Sequence, residues 1–179
     1  MKQLLITTHL YTFAVICVIA TTISSCTFKK KTDMETPTGT KENELTMLVG
    51  TYTSGDSKGI YSFRFNEETG TATALSETEV ENPSYLAVSA DGKFIYTVSE
   101  FNNEQAAANA FAFNQEKGTL KLLNSQKTGG EDPCYIITNG NNVITANYSG
   151  GSISVFPIAK DGSLLPASDI IKFEGSGTD

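Results

Sequence analysis

Two runs of alternating residues joined by an Asp-Gly pair constrain the fold of this chain more than any other feature. Residues 86–89 and 94–99 alternate between the two faces of a strand, and Asp91 and Gly92 lie between them. Asp-Gly favours a tight turn because glycine tolerates the positive φ angle that such a turn requires. Pro83 has no N–H for a strand ladder and therefore fits the start of the first strand. The stretch predicts a β-hairpin.

The hairpin belongs to a pattern that recurs along the chain. The phrase Asn-Pro-Ser-Tyr at 82–85 returns as Asp-Pro-Cys-Tyr at 132–135, and the turn glycines Gly70, Gly118 and Gly162 lie 48 and 44 residues apart. A repeat of about 40–50 residues made of short strands is typical of a propeller blade, normally with four antiparallel strands. An ordinary β-sandwich also has a turn about every 8–12 residues. The agreement of several phrases at one spacing favours an all-β propeller, in which residues 163–166 are predicted to form the fourth strand of the third repeat.

The length of the repeating region limits how much of a propeller the chain supplies. Residues 46–179 hold about three repeats, whereas propellers typically close with about four to eight blades. The last residues, 175–179, form a loop-like phrase after a strand-like one. We therefore expect the chain to be the N-terminal part of a longer propeller, with the remaining blades beyond Asp179.

The first residues predict a targeting signal that is not part of the fold. Lys2 precedes a mostly apolar run, and small residues stand directly before Cys26. This order is typical of a bacterial lipoprotein signal, in which the cysteine is acylated and the protein is anchored in the cell envelope. The alternative is a transmembrane anchor of about 20 residues, which the many threonines disfavour. The predicted organisation is a signal peptide over residues 1–25, a lipid on Cys26, a flexible tether over residues 26–45 and the propeller over residues 46–179.

Charge and residue types argue against several functions. The net charge of −7 argues against nucleic acid as a partner, because phosphate contacts need a basic patch. The one histidine, His9, lies in the predicted signal, and Cys134 is the one cysteine outside the signal and the lipid site. No metal set and no phosphate-binding loop are present in the sequence, so no cofactor is predicted. Cys134 begins an apolar strand and is predicted to be a buried, unreactive thiol.

Polar residues at the ends of two equivalent strands are the candidates for a binding site. Glu100 follows the strand at 94–99, and Asn147 and Tyr148 follow the corresponding strand of the next repeat. Loops at one end of propeller blades converge on the central channel, where polar side chains face any ligand. The structural alternative is that Asn147 caps a turn and Tyr148 packs between blades.

Residues 48–53, 82–96, 132–135 and 146–155 together carry a resemblance to a known family. They resemble the lactonase family, the seven-bladed propellers of the 6-phosphogluconolactonase type. The Asn-Tyr-Ser-Gly-Gly run within the last phrase is the more specific part, because Asp-Gly hairpins occur in many propellers. The resemblance implies hydrolysis of a small-molecule sugar lactone without a metal. Contact with the membrane is expected separately, through the predicted lipid on Cys26.

Under the lactonase hypothesis, the residues at the two equivalent strand ends have predicted roles. Asn147 and Tyr148 are predicted to orient the ring or the carbonyl of the substrate, and Glu100 is predicted to contact a hydroxyl group. The family's catalytic histidine is expected beyond Asp179, so no catalytic residue is assigned and the chain by itself is expected to be inactive. A non-catalytic propeller that binds glycans or proteins at the cell envelope is the alternative, because one fold hosts both functions.

Overall fold

The structure is a computed structural model that describes residues 43–175. Its regular elements in this range are eleven β-strands, which confirms the all-β prediction. None of the described residues forms a helix long and apolar enough to cross a membrane. The strands are β1 (Glu44–Gly50), β2 (Gly59–Asn66), β3 (Ala72–Glu79), β4 (Leu86–Val88), β5 (Phe94–Ser99), β6 (Ala107–Asn114), β7 (Thr119–Lys127), β8 (Pro133–Thr138), β9 (Asn142–Asn147), β10 (Ser152–Pro157) and β11 (Asp169–Lys172).

The strands form three antiparallel sheets in which chain neighbours pair with each other. Blade A consists of β1–β3, blade B of β4–β7 and blade C of β8–β11. The first strands of blades B and C, β4 and β8, lie next to each other, and so do the outer strands β3 and β7 of blades A and B. This radial arrangement of four-stranded, up-and-down blades is that of a β-propeller, as the repeats predict.

Within residues 43–175, blade A has three strands, and its first strand corresponds to the second strand of the other blades. The pairing of β2 with β3 shifts register between Ser62 and Phe63, and the pairing of β6 with β7 shifts between Ala110 and Phe111. The shared bulge makes β2 equivalent to β6, so β1 is equivalent to β5. Among the described residues, β1 therefore has one neighbouring strand, β2.

The Asp-Gly hairpin forms as predicted, with a longer turn. Strands β4 and β5 pair antiparallel, and residues 89–93 connect them. The hydroxyl of Ser89 donates to the Asp91 carboxylate at 2.7 Å and accepts the N–H of Phe94 at 2.9 Å. The hydrogen bonds from Ser89 and from the Lys93 backbone lower the pKa of Asp91. Gly92 has a φ of 69°, the left-handed conformation that the sequence predicts there.

The fourth strand of blade C lies later in the chain than the sequence predicts. The sequence predicts a short outer strand over residues 163–166. In the structure, Leu164 of this segment forms an isolated bridge to Ile158. The Leu164 side chain is buried, and its carbonyl accepts hydrogen bonds from Asn124 and Gln126 of blade B. This segment packs against the neighbouring blade instead, and β11 supplies the outer strand.

The core lies between the blades rather than inside any one of them. Strand β5 is buried on both faces, since Ile95 packs toward blade A and the next residue, Tyr96, packs toward blade C. Burial of one such large side chain stabilises the fold by about 1.5–3 kcal/mol. The core of the B–C interface consists of Tyr96, Val98, Ala108, Ala110, Ile136, Val143, Phe156 and Leu164, and that of the A–B interface of Ile60, Ile95 and Phe111.

Candidate functional site

Three equivalent residues lie where the second strands of the blades end. The N–H of Glu100 donates to the carbonyl of Asn82 at 3.0 Å, and the N–H of Tyr148 donates to the carbonyl of Asp132 at 2.9 Å. These equivalent bonds place Glu100 and Tyr148 at corresponding positions of blades B and C. The shared bulge extends the correspondence to Tyr52, which follows β1 in blade A. The three side chains therefore mark the same end of successive blades.

Asn82 holds two of these loops together. It has a φ of 46°, and Asp132 at the equivalent position has a φ of 49°; asparagine and aspartate tolerate this left-handed conformation better than most residues. The Asn82 side-chain oxygen accepts hydrogen bonds from the N–H and the hydroxyl of Thr53, both at 3.0 Å, and its amide nitrogen donates to the Glu100 carbonyl at 3.2 Å. One side chain thus fixes the loop after β1 against the end of β5.

The Glu100 carboxylate lies at the junction of blades A and B with two hydroxyl groups beside it. The hydroxyl of Ser84 donates to Glu100 Oε2. A hydrogen bond to Glu100, burial and the charge of Glu100 raise the pKa of Tyr52. Tyr52 comes from blade A, whereas Ser84 and Glu100 come from blade B. We call these three residues the Glu100 cluster.

Cys134 is exposed, so the prediction of a buried thiol is wrong. It occupies the position that Ser84 has in the previous repeat. The pairing of β8 with β9 is irregular between Pro133 and Tyr135, which leaves Cys134 outside the ladder on the first strand of blade C. Next to it, the rings of Tyr135 and Tyr85 pack with centroids 4.7 Å apart and planes inclined by 53°. The starts of β4 and β8 are therefore joined by an aromatic pair.

The predicted site residues Asn147 and Tyr148 have different surroundings. Tyr148 is 81% exposed, so it does not pack between the described blades. Asn147 is buried; its Oδ1 accepts from Thr145, and its Nδ2 donates to Ser152 at 3.1 Å and to Ser154 at 2.8 Å. The polar atoms of Asn147 are thus engaged inside blade C, and its predicted contact with a substrate stays a prediction. Cys26 lies outside the described residues.

Tyr52 and Ser84 are members of the site that were not predicted from the sequence. Tyr52 occupies the repeat position of Glu100 and Tyr148, so a three-way alignment that included the first blade could have found it. Ser84 stands in the repeated phrase at 82–85, but its contact with Glu100 depends on how two strands are placed in space. The sequence therefore indicates Ser84 as a site residue less clearly than Tyr52.

The chemistry available at this end of the blades is hydrogen bonding by hydroxyl groups and a carboxylate. Within residues 43–175, no cluster of histidine, cysteine or acidic side chains could hold a metal ion. A separate cleft of 660 Å³ opens beside the loop after β5 and does not include Glu100 or Tyr148. It is lined by Asn103, Glu104, Gln105, Ala106, Lys127, Gly129, Gly130 and Glu131.

Comparison with known proteins identifies the family. The family model described as "Lactonase, 7-bladed beta-propeller" matches residues 46–179. A candidate 6-phosphogluconolactonase of known structure from Bacteroides fragilis is 71% identical, with a TM-score of 0.77 over 78% of this chain and 39% of its own. The periplasmic gluconolactonase of Pseudomonas aeruginosa is 31% identical, with a TM-score of 0.66 over 72% of this chain and 38% of its own.

Curated sequences agree with the structural matches. The 6-phosphogluconolactonase of Bacillus subtilis is 38% identical over 122 residues, which are 65% of this chain and 34% of that protein. The 6-phosphogluconolactonase of Formosa agariphila is 35% identical over 73% of this chain and 38% of its own. The chain thus spans little more than a third of the length of these relatives. With its repeats, its radial blades and the match over residues 46–179, the chain belongs to the lactonase family of seven-bladed β-propellers.

Proposed function

We propose that the protein of which this chain forms three blades hydrolyses a sugar lactone. The observation that carries the proposal is the placement of Tyr52, Glu100 and Tyr148 at one end of successive blades, in a chain whose relatives are named as lactonases. Hydroxyl and carboxylate groups at this end suit a substrate rich in hydroxyl groups. The names of the relatives favour the enzyme over a propeller that only binds glycans or proteins.

The reaction is the hydrolysis of a cyclic ester. A water molecule attacks the carbonyl carbon, the carbonyl oxygen becomes an oxyanion, and the ring C–O bond then breaks to give an open hydroxy acid. A general base takes the proton of the water and returns a proton to the ring oxygen as the C–O bond breaks, and hydrogen-bond donors stabilise the oxyanion. In our proposal the exposed Tyr148 orients the ring or the carbonyl, and Glu100 contacts hydroxyl groups. Asn147 holds the end of β9 through its hydrogen bonds to Ser152 and Ser154. We assign no residue of blades A, B and C as this base.

The proposal predicts that the full-length protein opens D-glucono-1,5-lactone faster than water does. The measurement is the rate of acid release in a pH-stat, corrected for spontaneous hydrolysis. Tyr148→Ala is expected to lower kcat/KM by about tenfold or more, because the variant loses the side chain that orients the substrate in our proposal. A full-length protein that releases acid only at the spontaneous rate would show that it is not a gluconolactonase.

We also propose that the protein is a lipoprotein of the cell envelope. The small residues before Cys26 support acylation at that cysteine, and the periplasmic location named for the Pseudomonas relative is consistent with export. A soluble, exported enzyme would be the alternative arrangement.

Replacing Cys26 with alanine is expected to abolish labelling of the protein by a fatty-acid analogue, because acylation requires the cysteine sulfur. Cys17→Ala is the matched control: Cys17 lies within the predicted signal, so this variant should be labelled like the wild type. Both are measured by metabolic labelling and by partition of the protein between membrane and soluble fractions. Undiminished label on the Cys26→Ala protein would refute the lipid site.

A further inference from the structure

The Glu100 cluster contains one charged group held by two neutral ones. An ionised carboxylate only accepts hydrogen bonds, at about four lone-pair positions. The hydroxyl of Ser84 donates to Glu100 Oε2, and Glu100 lies close enough to Tyr52 to raise the pKa of its hydroxyl. One donated hydrogen bond leaves further acceptor positions on the carboxylate. Glu100 is half-buried, so Ser84 holds one carboxylate oxygen while part of the side chain stays in contact with solvent.

The backbone around Glu100 is fixed as well. Asn82 binds the Glu100 carbonyl and the loop that carries Tyr52, and the N–H of Glu100 is bonded to the carbonyl of Asn82. Preorganisation of this kind improves recognition because less freedom is lost when a ligand binds. The acceptor is therefore built into the fold and does not depend on a mobile side chain.

We propose that the Glu100 cluster is a hydroxyl-binding subsite, in which Glu100 accepts hydrogen bonds from neighbouring hydroxyl groups of an uncharged, polyhydroxylated lactone. Ser84 and Tyr52 act as positioning residues for the carboxylate. The proposal rests on the proposed lactone hydrolysis and adds which part of the substrate the site recognises. A phosphoryl group next to Glu100 would bring two negative charges together, so the subsite selects the part of the substrate that carries free hydroxyl groups.

Two substrates distinguish hydroxyl binding by Glu100 from a general effect of its substitution on catalysis. D-glucono-1,5-lactone carries hydroxyl groups, whereas δ-valerolactone has the same ring size and none. In the full-length protein, Glu100→Gln is expected to raise KM for gluconolactone about tenfold with little change in kcat, because a charge-assisted hydrogen bond becomes a neutral one in both the ground and the transition state. The kcat/KM for δ-valerolactone should stay within about twofold of the wild type. Equal effects on both substrates would overturn the subsite.

Glu104→Gln is the matched control, since Glu104 is an exposed carboxylate of the same loop that does not belong to the cluster. It should leave KM for both lactones unchanged. Tyr52→Phe and Ser84→Ala should each raise KM for gluconolactone about two- to fivefold, and neither should add to the effect of Glu100→Gln, because they act through that carboxylate. Full additivity in the double variants would contradict the positioning role.

Binding without hydrolysis distinguishes failure of the subsite from failure of the proposed function. The probe is 1,5-anhydro-D-glucitol, a ring with hydroxyl groups and no lactone carbonyl, titrated by calorimetry into the wild type and into Glu100→Gln with an unchanged Tm. A Kd about tenfold weaker in the variant supports the subsite, even if no lactone is opened. Equal Kd values overturn it, even if the wild type is an active lactonase.

Discussion

Replacing Gly50 with alanine is expected to destabilise the protein by about 3 kcal/mol or more, the upper part of the range for overpacking. An ideal Cβ at Gly50 would lie 1.9 Å from the carbonyl oxygen of Pro83 and 2.7 Å from Leu86 Cδ1. The oxygen is backbone, and Pro83 is buried, so the contact cannot be relieved by rotating a side chain. Blade A would have to move away from the connection that leads into β4. The measurement is the free energy of unfolding of the full-length protein in denaturant.

Gly70→Ala is the matched control for this contact. Gly70 has a φ of 70°, and an added Cβ would meet nothing within 4 Å. The loss of stability in Gly70→Ala therefore comes only from the unfavourable backbone conformation and is about 1–2 kcal/mol. Gly50 is not among the glycines with positive φ, so the loss of stability in Gly50→Ala is steric. If Gly50→Ala cost no more than Gly70→Ala, blades A and B would not approach each other as closely as the structure shows.

Much of the fold is predictable from the sequence because its signals are local. Alternation in β4 and β5, the positive φ at Gly92 and the repeated phrase before each inner strand all act within a few residues. The outer strand of blade C is not predictable in this way, because Leu164 is held by hydrogen bonds from Asn124 and Gln126 of the neighbouring blade. No pattern within residues 163–166 predicts that contact.

The site is less predictable than the fold because it lies between blades. Glu100 and Tyr148 could be identified as equivalent strand ends from the repeats alone. The approach of Tyr52 to Glu100 joins two blades, and it follows from the radial arrangement of the sheets and not from spacing in the sequence. Cys134 shows the same limit: its apolar neighbours predict burial, whereas an irregular start of β8 leaves it exposed.

Replacing Asn82 with alanine is expected to destabilise the full-length protein by about 2–4 kcal/mol, because a left-handed residue and three hydrogen bonds are affected together. Alanine at a φ of 46° is strained, and it leaves the N–H of Thr53 and the carbonyl of Glu100 without their side-chain partner. Glu100 should then be less well oriented, so KM for gluconolactone should rise as in Glu100→Gln. Both quantities are measured on the same preparation, by denaturant unfolding and by initial rates.

Two further variants of Asn82 separate the causes. Asn82→Gly removes the side chain but tolerates the positive φ, so it should be more stable than Asn82→Ala by about 1 kcal/mol. Asn82→Asp keeps the acceptor for Thr53 and loses the donor to Glu100. It should therefore preserve most of the stability and still raise KM for the hydroxylated lactone. If instead KM followed stability alone across the three variants, Asn82 would be a folding residue without a role in orienting Glu100.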